Sequence, residues 1–401
     1  MKKRWLSNCT RLFFLFLSIL YSTGFASPDV ARAESSADEA LARLRAPLIE
    51  AVFVLDTTGS MSGLIDAAKA KIWSIANTMA AADPTPDIRM GLVGYRDRGD
   101  AYVTALTPLS NDLDAVYADL MRFRADGGGD EPESVNQALY EAVTRMPWSA
   151  VSRNAYRVIF LVGDAPPQMN YRDDVRYAES CRLAGRRGIV INTIQCGRLA
   201  ETTPVWKEIA RLGEGHYFQV AQSGSAVRYD TPYDEKIASL SRTLDDTRIF
   251  YGRADDIAAA ESRCKTARSI YAEAEPAAMA QRAVFNAGKA GEKNFTGSRE
   301  LVQDVASGLV HTGDMDRTLL PQALQKMRAD ELDILIAARG NQRKELQRQI
   351  DDLAKKRQAF IHAKLKEEKD AGALSLDAKV FKCIKSQGQE KGLVYKGGPV
   401  Y

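Results

Sequence analysis

Histidine and cysteine are scarce in this 401-residue chain, and neither residue occurs in a recognisable metal-binding or redox spacing. The three histidines, His216, His311 and His362, are too few and too scattered for a multi-histidine zinc site. The five cysteines include no CxxC pair, which argues against a thioredoxin-like redox motif. Long apolar runs are also missing. The N-terminal run LFFLFLSIL is too short to span a bilayer comfortably, so we expect no integral membrane span in the processed chain.

The N-terminal segment has the layout of a secretory signal. Lys2, Lys3 and Arg4 precede the apolar run, and the small residues Gly24 and Ala26 follow it. This order predicts cleavage after Ala26, with residues 1–26 as the signal and 27–47 as a linker. An uncleaved anchor is the alternative. No cysteine follows the cleavage point, which argues against a lipoprotein. We therefore expect an exported bacterial protein, either periplasmic or secreted.

No charge of one sign dominates the exported chain. The full sequence has 55 basic and 52 acidic residues, and the predicted signal contains four of the basic residues and no acid. Its removal leaves 51 basic against 52 acidic residues, a formal net charge of −1. This balance gives no reason to expect nucleic acid or an anionic membrane as a partner.

Removal of Cys9 with the signal leaves an even number of cysteines, which in an exported chain permits two disulfides. Cys181 and Cys196 lie on sequential elements of the pattern described below, and Cys264 and Cys383 flank the C-terminal region. These are the two pairings we consider. Buried free thiols are the alternative, and the spacing does not decide between them.

Residues 48–222 alternate apolar strand-like runs with amphipathic stretches. The run IEAVFVLD is almost entirely apolar, as expected for a strand buried on both faces, and LIDAAKAKIWSIANTMAAA has a helical apolar stripe. The alternation predicts an α/β domain with a doubly wound, mostly parallel sheet.

The composition changes from about residue 233, and residues 233–401 are predicted to be all-α. Leu346, Ile350, Leu353 and Phe360 repeat at spacings of three and four once Arg357 is counted as a step. The stripe is short and interrupted, which favours a helical hairpin or bundle over an extended coiled coil. Residues 286–318, rich in Gly, Ser, Thr and Asn, are expected to form a loop-rich connection.

Oxygen-bearing side chains stand at the ends of two predicted buried strands and within one glycine-rich loop. Asp56, Thr58 and Ser60 stand in the sequence DTTGS at the end of the first strand, and Asp164 ends the strand-like FLVGD. The loop GGGDEPES precedes a helix and supplies Glu133. Ligands bind at the carboxyl edge of open α/β sheets, and carboxylate and hydroxyl oxygens suit hard cations. We therefore expect these five residues to converge on one divalent cation: Mg²⁺ first, with Ca²⁺ and Mn²⁺ as alternatives.

The motif DTTGS, followed much later by an aspartate at the end of a buried strand, resembles the metal-ion-dependent adhesion site of von Willebrand factor type A domains. The resemblance covers roughly residues 48–222, including the order of elements. It implies a Rossmann-like fold with a metal at the sheet edge. In such domains a loop threonine usually binds the metal, and GGGDEPES contains none.

The letters DEPE are similar to the Asp-x-Pro-Glu loop of the I-like domain in integrin β subunits, where the glutamate replaces that threonine. That resemblance implies the same role for Glu133. It also implies a second cation near Asp97, Asp130, Pro132 and Glu133, although Gly128 stands where the integrin pattern has an asparagine ligand. The third integrin site needs paired acids after the first motif, and MSGL offers none, so we expect it to be absent.

The resemblance implies a binding module for protein partners, in adhesion or assembly. The open coordination position of the metal would accept an acidic residue of the partner. The alternatives are a structural or assembly factor of an envelope complex and, less favoured, a metal-assisted hydrolase. We expect no enzymatic activity because no catalytic constellation is evident. His216, the histidine within the α/β half, is predicted to lie far from the motif loops.

Overall fold

Six strands form the centre of the fold in the computed structural model, which describes residues 47–129, 132–150, 155–224, 229–367 and 375–401. The predicted signal and almost all of the linker lie outside these described residues. The strands are β1 (Leu48–Asp56), β2 (Asp87–Tyr95), β3 (Thr104–Ser110), β4 (Ala155–Gly163), β5 (Ile189–Cys196) and β6 (Glu214–Val220). Their order is β3-β2-β1-β4-β5-β6, and β3 is antiparallel to β2 whereas the other pairs are parallel. The predicted doubly wound, mostly parallel sheet is confirmed.

Helices cover both faces of this sheet. They are α1 (Ser62–Ala80), α2 (Leu113–Arg122), α3 (Val135–Thr144), α4 (Tyr177–Arg186) and α5 (Thr202–Leu212). Alternate residues of β1 point to opposite faces, so Phe53 and Leu55 pack with α1 and α2. Val52 and Val54 pack with α3, α4 and α5. Because apolar layers cover both faces of β1, its sequence is almost continuously hydrophobic.

The remaining chain is helical, as predicted. Its helices are α6 (Asp234–Asp245), α7 (Ala254–Glu273), α8 (Pro276–Ala287), α9 (Glu292–Thr296), α10 (Leu301–Ala306), α11 (Gln322–Gln325), α12 (Ala329–Glu367) and α13 (Leu376–Gln389). Residues 286–318, expected to be loop-rich, thus contain the end of α8 and two short helices. Within the described ranges, no helix is both long enough and apolar enough to cross a bilayer.

The apolar stripe of α12 packs as its spacing indicated. Leu346 and Ile350 share a core with residues of α6 and α8. The interrupting Arg357 is also buried, and its Nε donates to Asp234 Oδ1 at 2.6 Å. A buried ion pair therefore continues the stripe at the step where an apolar residue is missing.

The helical region also completes the core on one face of the sheet. Phe285 of α8 lies against Trp73 of α1, with ring centroids 5.9 Å apart, and Val380 and Ile384 of α13 join the same cluster. The α/β half and the helical half are therefore joined by a shared apolar core.

The two considered disulfides are absent, because all four described cysteines are free thiols. Cys181 belongs to the core on the α3–α5 face, whereas Cys196 belongs to the core on the opposite face, so the sheet lies between them. Cys383 is fully buried against the sheet core, and Cys264 lines a cleft in the helical region. Adjacency along the chain suggested the first pairing, but the alternation of side chains across the sheet prevents it.

Candidate metal centre

The DTTGS segment begins the site where β1 ends. Asp56 is the last residue of β1, and a 3-10 turn at Gly59–Met61 leads directly into α1. The Oδ1 atom of Asp56 accepts hydrogen bonds from Thr58 N at 2.9 Å and from Thr58 Oγ1 at 2.6 Å. The Oγ atom of Ser60 lies 3.3 Å from Thr58 Oγ1. One carboxylate and two hydroxyls therefore meet within a single turn.

Glu133 enters the site from the loop before α3. Its backbone pairs with the segment after β4, because Glu133 N donates to Pro166 O at 3.0 Å and Gln168 N donates to Glu133 O at 2.7 Å. The residue is only 3 % exposed. Its carboxylate faces Thr58 across Gly128: a Cβ atom at that glycine would lie 3.2 Å from Glu133 Oε1 and 2.9 Å from Thr58 Cβ. Gly128 also has a φ of +75°, so its glycine identity keeps the two side chains together.

Asp164 follows β4 at the same sheet edge. In the register of β1 and β4, Leu55 is opposite Val162, which leaves Asp56 and Asp164 at adjacent strand ends. The Oδ2 atom of Asp164 accepts a hydrogen bond from Gln222 Nε2 at 2.5 Å, and the same amide donates to Ser60 O at 3.2 Å. Asp164 is thus held towards the DTTGS turn by a residue that follows β6.

The electrostatics of the site are those of crowded acids with little compensation. Burial raises the pKa of Asp56 to about 7, and the charge of Asp164 adds to this, although hydrogen bonds from Thr58 and from the backbone of Asp164 act in the opposite direction. Burial and the charges of Asp56, Asp97, Asp100 and Asp164 raise the pKa of Glu133 to about 8. Protonating one acid would lower the repulsion, and a cation between the acids would lower it as well.

The buried carboxylate oxygens of the site favour cation binding. Asp56 Oδ2 and Glu133 Oε2 are buried and have no hydrogen-bond donor among the described residues. Unpartnered carboxylate oxygens are unfavourable in a protein interior, and a divalent cation would compensate them. In the described ranges, no three His, Cys, Asp or Glu side chains form a group that could hold a metal ion by themselves. A cation at this edge would therefore also need the hydroxyl oxygens of Thr58 and Ser60.

The second predicted cation site is less complete. Both carboxylate oxygens of Asp97 accept hydrogen bonds from protein groups, Oδ1 from Ser134 Oγ at 2.6 Å and Oδ2 from Tyr171 OH at 2.8 Å. Pro132 lies next to Glu133 in the loop, and Asp130 lies outside the described residues. The observed role of Asp97 is to support the start of α3, and the second site stays a prediction.

Two residues near the site were not anticipated from the sequence. Asp100 binds the glycine loop, because its Oδ2 accepts hydrogen bonds from Gly128 N at 3.1 Å and from Asp97 N at 3.2 Å. Gln222 holds Asp164 as described above. Asp100 could have been suspected as an acid in the loop after β2, at the same edge of the sheet. Gln222 carried no comparable signal because it is uncharged and outside any motif.

Comparisons with known proteins agree with this architecture. Residues 50–230 match the family model of the von Willebrand factor A domain. Human von Willebrand factor A domain-containing protein 7 is 33 % identical over 135 residues, which are 33 % of this chain and 14 % of the human protein. The mouse protein of the same name is 34 % identical over 133 residues, again 14 % of its length. The matched stretch is thus a small part of these relatives.

Solved structures are similar at lower identity. Proximal thread matrix protein 1 from the mussel byssus is 15 % identical with a TM-score of 0.34, covering 44 % of this chain and 42 % of that one. A von Willebrand factor type A structure from Catenulispora acidiphila is 16 % identical with a TM-score of 0.34, covering 44 % and 39 %. The mussel protein has also been solved with a zinc-occupied MIDAS motif, which is a property of that protein.

Proposed function

We propose that the von Willebrand factor A domain of this chain is a divalent-cation-dependent binding module for a protein partner. The observation that carries the proposal is the pair of buried, unpartnered oxygens, Asp56 Oδ2 and Glu133 Oε2, on one rim of the sheet. Acids arranged in this way are stable beside a cation and unfavourable without one. Mg²⁺ is our first candidate, and Ca²⁺ and Mn²⁺ share its preference for oxygen ligands.

The residues that would hold the cation are Asp56, Thr58, Ser60, Glu133 and Asp164. When bound, the cation supplies a coordination position that an acidic residue of the partner can fill. The protein groups position the donors. Thr58 orients the Asp56 carboxylate through two hydrogen bonds, and Gln222 orients Asp164. The hydroxyl donors Thr58 and Ser60 are neutral, so they add no negative charge to that of the three carboxylates.

Glu133 sets the strength of that attraction in our proposal, in the position that the integrin-like loop pattern gives it. Its carboxylate adds negative charge where a threonine would add none, which favours retention of the cation and weakens the pull on a partner's acid. Glu133→Thr is therefore expected to lower cation affinity and, at saturating cation, to strengthen binding of an acidic partner. A lower affinity for the cation together with a higher affinity for the partner would distinguish this role from a general loss of structure, which would lower both affinities.

We place the activity in binding rather than catalysis, and outside the cytoplasm on the basis of residues 1–26. His216, the histidine of the α/β half, lies at the start of β6, whereas the predicted ligands lie at the strand ends on the opposite edge. Its Nε2 is 3.4 Å from Ser386 Oγ of α13, and that hydroxyl is also engaged with backbone carbonyls of its own helix. His216 therefore cannot act as a base at the metal edge.

Calorimetric titration of the full chain with Mg²⁺, Mn²⁺ and Ca²⁺ tests cation binding. We expect one saturable site that Asp56→Ala abolishes and Asp66→Ala leaves intact, because Asp66 is an exposed acid on neighbouring α1. A crystal containing Mn²⁺ should give an anomalous peak beside Ser60 and Asp164. Binding that survives in Asp56→Ala would contradict the proposed site.

A second experiment tests the partner mechanism once a partner has been purified. Binding should be lost in chelator, restored by Mg²⁺, and lost in Asp56→Ala. Substituting the partner's interface acids one at a time by their amides should identify a single acid whose loss has the same effect as the chelator. Binding that tolerates both the chelator and every amide substitution would restrict the cation to a structural role.

A further inference from the structure

A cleft in the helical region, remote in sequence from the metal edge, has the composition of an anion site. It lies along α6 and α7 and has a volume of about 520 Å³. Three arginines line it, Arg242, Arg248 and Arg268, together with the rings of Phe250 and Tyr271 and the thiol of Cys264. A volume of this size accommodates a small ligand.

The floor of the cleft is held by a buried polar network. The side chain of Arg248 is 4 % exposed, donates to Phe295 O at 3.0 Å and lies 3.2 Å from Asp245 Oδ1. Tyr271 OH donates to Ser241 Oγ at 2.7 Å, and Asp245 also pairs with the fully buried Arg282 at 3.0 Å. Asp245 is thus engaged by two arginines, of which Arg282 also pairs with Asp114 of α2, and the floor is fixed in position.

The rim of the cleft carries an excess of positive charge. Arg242 and Arg268 are exposed, and neither guanidinium has a hydrogen-bond acceptor or an ion-pair partner among the described residues. The guanidinium of Arg242 lies 5.0 Å from the centroid of the Tyr271 ring, a cation–π contact at the cleft wall. Besides the engaged Asp245, the only acid that lines the described cleft is Asp246.

We propose that this cleft binds a small phosphorylated ligand. Two guanidinium groups without acceptors match the charge of a phosphoryl dianion, and their forked N–H donors fit its tetrahedral oxygens. The ring of Phe250, which lines the same cleft, offers a surface for a planar group attached to the phosphoryl group. This site is independent of the cation site, and neither proposal depends on the other.

Cys264 provides a reporter within the same cleft. The other described cysteines, Cys181, Cys196 and Cys383, are buried, whereas Cys264 is partly exposed. In the full chain carrying Cys9→Ser, maleimide labelling of the native protein should therefore report on Cys264 alone. The probes are inorganic phosphate and pyrophosphate, added in chelator at constant ionic strength. Sulfate and chloride serve as comparison anions.

We expect pyrophosphate to slow Cys264 labelling by about tenfold at saturation, with phosphate acting at higher concentration. Arg242→Ala/Arg268→Ala should lose this protection. Arg211→Ala, at an exposed arginine of α5 that likewise lacks an acceptor in the described residues, should keep it. Arg242→Lys/Arg268→Lys keeps the charge but loses the fork, and should bind more weakly than the parent. Should the alanine double variant fail to fold, the lysine variant and the single Arg268→Gln variant carry the same test.

Three outcomes would overturn the proposal. The first is labelling that no phosphate probe slows. The second is protection that rises without saturation or is equal with sulfate and chloride, which indicates general ionic screening. The third is protection that persists in the variants lacking both rim arginines.

Discussion

Replacing Asp56 by asparagine should stabilise the cation-free protein at neutral and alkaline pH. The Asp56 carboxyl is fully buried, its Oδ2 has no donor in the described ranges, and the charge of Asp164 acts on it. Asparagine keeps an acceptor for Thr58 N and removes the ionisable group. Its amide N–H₂ would replace Oδ2, where neighbouring carboxylates can accept its hydrogen bonds.

The magnitude follows from the pKa of Asp56, which is raised from 3.8 to about 7 in the folded protein. At 1.36 kcal/mol per unit, this difference corresponds to an upper limit of roughly 4 kcal/mol. We expect about 2–4 kcal/mol, because partial hydration and relaxation reduce the full value. The folded state holds the proton up to higher pH than the unfolded state. Stability is therefore lost as pH rises from about 4 to about 7, and the loss is constant above that range.

Urea unfolding in chelator, followed by tryptophan fluorescence, measures this effect. The gap in unfolding free energy between Asp56→Asn and the parent should be near zero at pH 4 and largest at pH 8. Saturating Mg²⁺ should stabilise the parent and leave Asp56→Asn unchanged. Asp66→Asn serves as the exposed control and should show no gap at either pH. An Asp56→Asn protein that is less stable than the parent in chelator at pH 8, or a gap independent of pH, would refute the reasoning.

Three further predictions concern a side chain at the site, an ion pair at the junction of the two halves and the cysteine of the helical cleft. Gln222→Ala should weaken cation binding by about tenfold in calorimetric titration, because Asp164 loses the donor that orients it, while Gln219→Ala should not. Arg282→Met should lower the free energy of unfolding by about 3–5 kcal/mol in urea, because it leaves the buried Asp114 without its cation and leaves Asp245 with Arg248 alone; unaltered stability would mean that Asp114 is protonated or hydrated. A thiol reagent should modify Cys264 alone among the four described cysteines of the native protein, and rapid modification of a second one would contradict its burial.

Much of the α/β half could be predicted from local pattern. The apolar run of β1 identified a strand buried on both faces, and the positions of Asp56 and Asp164 directly after strands placed them at one edge. Parallel strands end together, so a motif at each carboxyl end is brought into one region by topology alone. The loop before a predicted helix supplied Glu133 as a donor and the resemblance to the Asp-x-Pro-Glu loop implied its role, but its partners Pro166 and Gln168 were not anticipated.

Other features were beyond local pattern because they depend on which segments meet. The apolar residues of α13 indicate that this helix is buried, but not that Val380 and Ile384 pack against the sheet core. The donor to Asp164 is a glutamine after β6, and neither its residue type nor its spacing distinguishes it from a surface side chain. Cys181 and Cys196 are close in sequence, yet the sheet separates them.

The sequence by itself determined the alternation of strands and helices, the strand ends at which oxygen donors stand, and the helical stripe that continues through Arg357. Side-chain periodicity and strand direction are properties of short segments, so they are determined by residues that are neighbours in the sequence. The tertiary structure decided which oxygens lack donors, which acid Gln222 holds, and which arginines of the helical region remain unpaired around one cleft. Those features depend on contacts between residues far apart in the chain, and burial and electrostatic interaction are set only when such segments come together.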